Sequence, residues 1–373
     1  MVLTRLTLTD FRNYEQLDLA FHQPLVAFVG NNGIGKTNIL EAISFLTAGR
    51  GLRRATLASV ARMSGPGGWS LAARVDRDGY EHRVGTGLAS GESGRRVRID
   101  GEDAKSSEAL LDYLRVLWLV PSMDGLFTGP GGDRRRFLDR LTLSLDPAHG
   151  RRVTDFDKAL RQRNRLLEQG GRADVLSAIE RQVSSLGMAV SSARNETVRL
   201  LSATLAEQER PQIAFPRASL SLEGQFEAQF TAMPAVDAED LYMQALSDAR
   251  PRDRAAGRTL LGPHLSDLAV HHAAKDMPAA QSSTGEQKAL LIGLILAHAD
   301  LTERMTGQTP VLLLDEVAAH LDPERRKSLF DTLLKLGGQV FMTGTDASLF
   351  EALPPQSSIF RIDDEGATAL TWS

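Results

Sequence analysis

Residues 29–43 read VGNNGIGKTNILEAI, and this motif is the strongest indication of the fold. The preceding run, Leu25 to Val29, is apolar and β-prone, and the residues that follow Thr37 carry apolar side chains at helical spacing. Strand, glycine-rich loop and helix together predict a phosphate-binding loop, in which backbone N–H groups and a helix N-terminus face the anion. The loop fills every fixed position of G-x-x-x-x-G-K-[ST] with Gly30, Asn31, Asn32, Gly33, Ile34, Gly35, Lys36 and Thr37.

The last two residues of the loop have side chains suited to specific contacts with a triphosphate. Lys36 is predicted to meet the β- and γ-phosphates, and Thr37 to offer its hydroxyl to Mg²⁺. The alternative, a glycine-rich loop without function, does not explain why the flanking strand and helix are also present.

Composition limits the classes of protein that fit. The chain has 373 residues, a net charge of −4 and no cysteine, which excludes disulfides, cysteine-based zinc sites and thiol catalysis. The balance of 42% hydrophobic and 24% charged residues is that of a globular protein, long enough for two lobes. The N-terminus does not read as a signal peptide and no apolar run is long enough to span a bilayer, so we expect a cytoplasmic protein.

The secondary-structure pattern changes twice along the chain. Alternating residues before the loop predict two strands around Phe11–Tyr14, and further hairpins are expected at 69–85 and 95–103. From about residue 133 apolar residues recur every three or four positions, which predicts several helices, one of them long. A further single helix is predicted over residues 237–257. We therefore predict an α/β nucleotide-binding lobe in two pieces, residues 1–125 and 256–373, interrupted by a mainly helical lobe at 126–255.

A second motif, TPVLLLDEV at residues 309–317, has the pattern of a buried parallel strand that ends in two acids. Open α/β sheets bind ligands at the carboxyl ends of their strands, where Asp315 is placed. We expect Asp315 to complete the Mg²⁺ shell and Glu316 to polarise the attacking water.

The third motif, SSTGEQKALLIGLILAHA at residues 282–299, places small polar residues before a long apolar helix that is expected to start near Lys288. Ser283 and Gly285 would then form a second anion site at a helix N-terminus. Two such sites suggest that ATP is held between two protomers of a head-to-tail dimer. The alternative is that Ser283 only caps its helix.

The order of these motifs, followed by a Leu-Asp turn that ends at Asp322, resembles the ABC-type ATPases of the chromosome-maintenance group. Over nearly its whole length the chain more closely resembles the RecF family of bacterial recombination mediators. The resemblance rests on LTDFRNYEQLDL, GNNGIGKTNILEAI, GDRRRFLDR, RQRNRLL, GRTLLGPHLSDL, STGEQKALLIGLILAHA and LLLDEVAAHLD. The fold that it implies is an ABC-type P-loop ATPase head, a mixed sheet flanked by helices, with an inserted mostly helical lobe and no long coiled coil.

The resemblance also implies a function. It implies a weak ATPase, working as a switch, that dimerises on ATP and binds double-stranded and gapped DNA at single-strand gaps. Such a protein works with RecO and RecR to load RecA in gap repair, replication restart and SOS induction. It is cytoplasmic and associated with the nucleoid. Glu316 and Lys36 would be catalytic, Thr37 and Asp315 would hold Mg²⁺, and Asp322 would lie across the dimer seam.

Some positions depart from the family pattern. Ser282 stands where leucine is frequent, and Leu265 stands where arginine is common. The turn MTGTD has no histidine, unlike the switch of ABC transporters, so Thr343 or Thr345 is a candidate sensor of the γ-phosphate.

Basic residues concentrate in the helical insertion and form a candidate DNA surface, because phosphate contacts need such charges on one face. An alternative is that acids such as Asp139 and Asp155 pair with them. A smaller group, Arg50, Arg53 and Arg54, could reach a phosphate or simply be an exposed helix end. The residues proposed for DNA are Arg134, Arg135, Arg136, Arg151, Arg152, Lys158 and Arg161.

Two other functions compete with this interpretation. A transporter's ATPase subunit would have a shorter spacing from loop to signature and a membrane partner. A defence-type DNA ATPase usually carries a nuclease domain, for which the residues after 346 leave no room. The large helical insertion and the family-specific motifs favour the DNA-repair hypothesis.

Overall fold

The computed structural model describes residues 1–207 and 215–370. The strands of these residues, in chain order, are β1 (Val2–Phe11), β2 (Tyr14–Ala20), β3 (Leu25–Val29), β4 (Trp69–Arg77), β5 (Tyr80–Leu88), β6 (Arg96–Ile99), β7 (Glu102–Asp103), β8 (Val116–Leu119), β9 (Ala218–Glu223), β10 (Asp267–His272), β11 (Met277–Pro278), β12 (Val311–Leu314), β13 (Val340–Gly344), β14 (Ser357–Asp363) and β15 (Gly366–Leu370). The α-helices are α1 (Lys36–Ser44), α2 (Gly131–Leu145), α3 (His149–Glu168), α4 (Ala173–Glu207), α5 (Gln225–Phe230), α6 (Ala235–Asp248), α7 (Arg250–Ala256), α8 (Thr284–Thr306) and α9 (Pro323–Leu336).

The described residues divide into two compact units. The first unit contains residues 1–124, 215–216 and 283–370, and the second unit contains residues 125–207 and 217–282. The predicted second lobe ends at residue 255, but β10 pairs with β9 along its whole length, so residues 256–282 group with the second unit here. The predicted domain boundaries themselves stay a prediction.

The first unit contains a mainly parallel sheet of order β15-β14-β3-β13-β12-β8. Only the edge pair β14–β15 is antiparallel among its pairings. Every residue of β3, β12 and β13 is buried, which explains their continuous apolar runs. Because the carboxyl ends of parallel strands lie at one edge, the ends of β3, β13 and β12 are adjacent there.

A second sheet of the first unit is antiparallel, with strand order β2-β1-β4-β5-β6-β7. The β1–β2 hairpin pairs Phe11 with Tyr14, so its turn contains only Arg12 and Asn13. Alternate residues of β4 are buried, as the sequence pattern predicted for a half-covered strand. The predicted hairpins at 69–85 and 95–103 are confirmed as β4–β5 and β6–β7.

The second unit is mostly helical and has its own core. Phe156 of α3, Val183 of α4, Phe226 of α5 and Tyr242 of α6 pack within one buried cluster. The three-stranded sheet β11-β10-β9 completes this unit. The predicted fold class, α/β with a mixed sheet and a mostly helical insertion, is therefore confirmed, and the residues the structure describes contain no long coiled coil.

Three details differ from the sequence-based expectation. The single helix predicted over 237–257 is two helices, α6 and α7, because Pro251 lacks a backbone N–H and its ring obstructs a continuous helix. Helix α8 begins at Thr284 rather than near Lys288, because Ser283 caps it. The residues after 346, expected only to form a short tail, supply β14 and β15 to the parallel sheet. The alternating residues 212–224 also predict a strand, and β9 lies within this range, while residues 211–214 lie outside the described part of the chain.

Candidate nucleotide site

The glycine-rich loop joins β3 to α1, as the motif predicted. Two of its glycines hold positions that no other residue can take. Gly35 has φ of 120°, and a Cβ there would lie 2.5 Å from the Tyr14 hydroxyl oxygen. Gly30 has φ of 155°, and a Cβ there would collide with the Ile362 carbonyl oxygen. The loop can therefore expose backbone to an anion only because these side chains are absent.

Lys36 is held inside the loop. Its Nζ donates hydrogen bonds to the carbonyl oxygens of Gly30, at 2.6 Å, and Asn31, at 2.8 Å. The side chain is largely buried, and this desolvation lowers the pKa of Lys36, while the nearby Glu316 and Asp315 carboxylates act to raise it. The ammonium group is thus fixed at the loop with both acids of the second motif close enough to interact.

The first and second motifs meet directly. The Thr37 hydroxyl donates to the Asp315 carboxylate, at 2.9 Å to Oδ1 and 3.2 Å to Oδ2. The Thr343 hydroxyl, at the end of β13, donates to the same Oδ1 at 2.7 Å. These contacts follow from the strand order, which places β13 between β3 and β12.

The donor set around Asp315 suits Mg²⁺. The Thr37 hydroxyl directs its proton at Asp315, so the lone pairs of the Thr37 oxygen are available to a cation. No group of three or more His, Cys, Asp or Glu side chains capable of holding a metal occurs within residues 1–207 and 215–370. Mg²⁺ in nucleotide sites is typically held by one or two protein oxygens together with the phosphates, so this arrangement fits that cation.

Glu316 adopts an unusual backbone conformation. Its φ is 54°, in the left-handed region that costs a non-glycine residue on the order of 1–3 kcal/mol. Its N–H donates to the Thr343 hydroxyl at 2.9 Å, and this bond helps to hold the conformation. Such strain occurs often at functional sites and turns Glu316 sharply away from the strand direction of β12.

The FRNY turn between β1 and β2 braces the loop and its helix. Asn13 donates to the Ile34 carbonyl oxygen at 3.0 Å and accepts from Asn38 Nδ2 at 2.7 Å. Arg12 donates two bonds to the buried Glu41 carboxylate, at 2.8 and 2.6 Å. The turn therefore holds the phosphate-binding loop through Asn13 and the helix α1 through both Asn13 and Arg12.

Arg53 belongs to the small basic group that follows α1. It donates to Glu41, at 2.7 Å, and to Asn38 Oδ1, at 2.6 Å. Arg53 is thus engaged with the helix that follows the phosphate-binding loop, although Arg53, like Arg50, is exposed.

The third motif forms a helix cap. Ser283 and Glu286 make a reciprocal capping box, in which Ser283 Oγ accepts from the Glu286 N–H and the Glu286 carboxylate accepts from the Ser283 N–H. Ser283 and Gly285 are exposed, as is Asp322, which caps α9 by accepting from the Arg325 N–H at 2.8 Å. Within one chain these residues have local structural roles, and their predicted contact with a partner's nucleotide stays a prediction.

The basic residues of the second unit fall into two groups. Arg134 donates two bonds to Asp267 and others to backbone carbonyls, and Arg135 donates to the Ser266 carbonyl oxygen at 2.5 Å. Their guanidinium groups are therefore used within the second unit. The more exposed group, in which several members pair with nearby acids, consists of Arg136, Arg151, Arg152, Lys158 and Arg161.

Comparison with known proteins decides the family. Residues 2–367 match the model described as RecF/RecN/SMC N terminal domain. A Mesorhizobium japonicum protein named DNA replication and repair protein RecF is 54% identical over 365 residues, which cover 97% of this chain and 96% of the relative. The chain belongs to the RecF family. A RecF of Rhizobium meliloti is 56% identical over 355 residues, covering 94% of each chain.

Solved structures agree with the RecF assignment at the level of the fold. A structure of the recombination mediator protein RecF in the RecFOR pathway has a TM-score of 0.87, at 23% identity, over 99% of this chain and 98% of that one. An Smc head bound to the C-winged helix domain of ScpA has a TM-score of 0.56 at 16% identity, covering 100% of this chain and 98% of that one. The predicted ABC-type head fold of a RecF family member is thus confirmed. None of the helices described here is long and apolar enough to cross a bilayer.

Several residues of this RecF-family site were not predicted from the sequence. Glu41 is an acid on an otherwise apolar helical stretch, which is the pattern of a buried and paired carboxylate, and this signal was available. Asn13 and Asn38 give no such signal, because their contacts join residues 25 positions apart. Thr343 was predicted only as a candidate phosphate sensor, and its bonds to Asp315 and Glu316 depend on the order of strands.

Proposed function

We propose that this chain is an ATP-dependent DNA-binding recombination mediator of the RecF type. It binds and slowly hydrolyses ATP, dimerises on ATP over double-stranded DNA at single-strand gaps, and works with RecO and RecR to load RecA. This role belongs to gap repair, replication restart and SOS induction, in the cytoplasm near the nucleoid. The observation that carries the proposal is the Thr37–Asp315 hydrogen bond, which joins the phosphate-binding loop to the acidic strand end in a chain 54% identical to a named RecF.

Each side chain of the site has a role in the proposed reaction. The loop from Gly30 to Thr37 surrounds the phosphates with N–H groups, and Lys36 contacts the β- and γ-phosphates. Thr37 and Asp315 hold Mg²⁺, which neutralises phosphate charge when bound. Glu316 orients the attacking water and accepts its proton. Ser283 and Gly285, exposed at the start of α8, face the nucleotide of a second copy.

ATP hydrolysis measured with and without a gapped DNA duplex tests the proposal. We expect DNA to stimulate hydrolysis at low salt and the stimulation to fade at high salt, because phosphate contacts release counterions. A chain that hydrolyses no ATP, or whose hydrolysis ignores DNA at every salt concentration, contradicts the proposal.

A charge variant, measured for DNA binding at several salt concentrations, tests the proposed location of the DNA surface. Changing Arg151, Lys158 and Arg161 of α3 to glutamine is expected to lower the salt slope of DNA binding by roughly 1 to 3, since each phosphate contact adds about 0.9. The matched control changes three exposed arginines of the antiparallel sheet, Arg74, Arg83 and Arg98, to glutamine. Equal loss in both variants would show only a general effect of net charge.

Replacing Ser283 with arginine is expected to abolish ATP-dependent dimers without abolishing nucleotide binding, because the substitution fills the exposed helix start that faces the partner. Analytical ultracentrifugation with and without ATP measures this. The control is Ser93→Arg, the same substitution at another exposed position of the first unit. If the unaltered protein forms the same dimer with and without ATP, the shared site is wrong.

A further inference from the structure

Thr343 lies at the meeting point of the site's three strands. It is 1% exposed and belongs to β13, which pairs in parallel with β3 on one side and β12 on the other. Thr343 itself is paired with Phe28 of β3, and the preceding Met342 with Leu314 of β12. Asp315 directly follows Leu314, the last residue of β12, so the Thr343 side chain ends beside the acids.

The direction of each hydrogen bond at Thr343 follows from its partners. The Glu316 backbone N–H can only donate, so the Thr343 oxygen accepts from it, at 2.9 Å. The Thr343 hydroxyl proton is then directed at Asp315 Oδ1, at 2.7 Å. One hydroxyl therefore binds the side chain of the first acid and the backbone of the second.

This arrangement conflicts with the role of phosphate sensor that the sequence suggested for Thr343. Its single proton is already donated within the protein, and the residue is buried. Thr345 is exposed by contrast and remains the other candidate for that role.

We infer that Thr343 is a positioning residue, which fixes the metal-binding Asp315 and the catalytic Glu316 relative to each other. The inference rests on the proposed ATPase function. Glu316 occupies a left-handed conformation that its own sequence does not favour, and the Thr343 hydroxyl is the side-chain acceptor of its N–H. Without that acceptor the backbone can relax and move the Glu316 carboxylate from the position needed to orient water.

The experiment compares Thr343→Val, which replaces the hydroxyl with a methyl group, with Thr343→Ser, which keeps the hydroxyl. We expect kcat of Thr343→Val to fall on the order of 10–100-fold, the usual effect of losing an outer partner of a metal ligand. KM for ATP should stay within about threefold, because the phosphate contacts are intact. Thr343→Ser should restore most of kcat, and Thr343→Val should keep its ATP-dependent dimer for longer than the unaltered chain.

The matched control is Thr302→Val in α8. Thr302 is also fully buried, and its hydroxyl donates to the His298 carbonyl oxygen at 2.7 Å. Both valine variants lose one buried hydroxyl, so we expect a similar loss of stability in each. Thr302 does not contact Asp315 or Glu316, so kcat of Thr302→Val should stay unchanged. Affinities for ATP and ADP are measured for every variant, since loss of a γ-phosphate sensor would lower the preference for ATP over ADP.

The outcomes separate the two proposals. Two results would overturn the positioning role in a chain that hydrolyses ATP. One is that Thr343→Val has the same kcat as the unaltered chain, and the other is that Thr343→Val loses its preference for ATP over ADP. If the unaltered chain hydrolyses no ATP under any condition, the proposed function fails. A crystal structure of Thr343→Val decides the inference in that case too, since an unmoved Glu316 backbone would overturn it.

Discussion

Replacing Lys36 with arginine is expected to lower ATP turnover by roughly 10²–10³-fold, comparable to the loss of one transition-state donor in other enzymes. The positive charge remains, so ATP should still bind with an affinity within about tenfold of the unaltered protein. Lys36 Nζ lies 2.6 and 2.8 Å from two loop carbonyls, and the side chain is only 5% exposed. A planar guanidinium is wider than an ammonium, so we expect that arginine cannot reach the position proposed for the contact of Lys36 with the γ-phosphate.

Steady-state hydrolysis and equilibrium binding of a fluorescent ATP analogue measure the two effects separately. The control is Lys105→Arg, the same change at an exposed position of the first unit. Undiminished hydrolysis by Lys36→Arg would remove the phosphate-binding loop from the mechanism. Loss of binding together with turnover would instead mean that the loop had lost its structure.

The largest effect on stability is expected for Arg163→Met in the second unit. Arg163 is 0% exposed and donates to Glu180 at 3.1 Å, to Asp253 at 2.8 Å and to Thr259 at 2.7 Å. Glu180 keeps a second partner in Arg250, but Asp253 would lose its closest buried cation. Leaving one buried charge unpaired typically costs about 3–5 kcal/mol in free energy of unfolding.

Urea denaturation followed by circular dichroism measures this loss as a lower midpoint for the second unit. Arg165→Met, an exposed position on the same helix, should change the free energy of unfolding by less than about 0.5 kcal/mol. The double variant Arg163→Met with Asp253→Asn should recover part of the stability, because the unpaired charge is then absent. A loss below about 1 kcal/mol for Arg163→Met alone would show that this ion cluster is not needed for folding.

Arg163 also shows where a basic sequence pattern is ambiguous. It lies on the same basic helix, two residues beyond the exposed Arg161, which is the last of the residues proposed for DNA. Both positions are arginine in the sequence, and only the packing of α3 against α4 buries one and exposes the other. Composition identified the basic helix, but it could not separate charges that stabilise the unit from charges available to a partner.

The Ser283 turn is compatible with two roles. The capping box explains why Ser283 and Glu286 occur three residues apart before an apolar helix. The same geometry leaves Ser283 and Gly285 exposed, as a contact with a second protomer requires. The ultracentrifugation experiment is therefore the test that separates a cap from a shared nucleotide site.

The phosphate-binding loop, the acidic strand end and the α/β class are all predictable from the sequence, because each depends on residues that are neighbours along the chain. The spacing of glycines, apolar residues and capping residues predicts where the loop bends, which strand is buried and where a helix begins. Three features become visible only in the folded chain: Thr343 joins Asp315 to Glu316, Glu41 binds Arg12 and Arg53, and Arg163 is buried. These contacts depend on strand order and helix packing, which bring together residues that no local pattern relates.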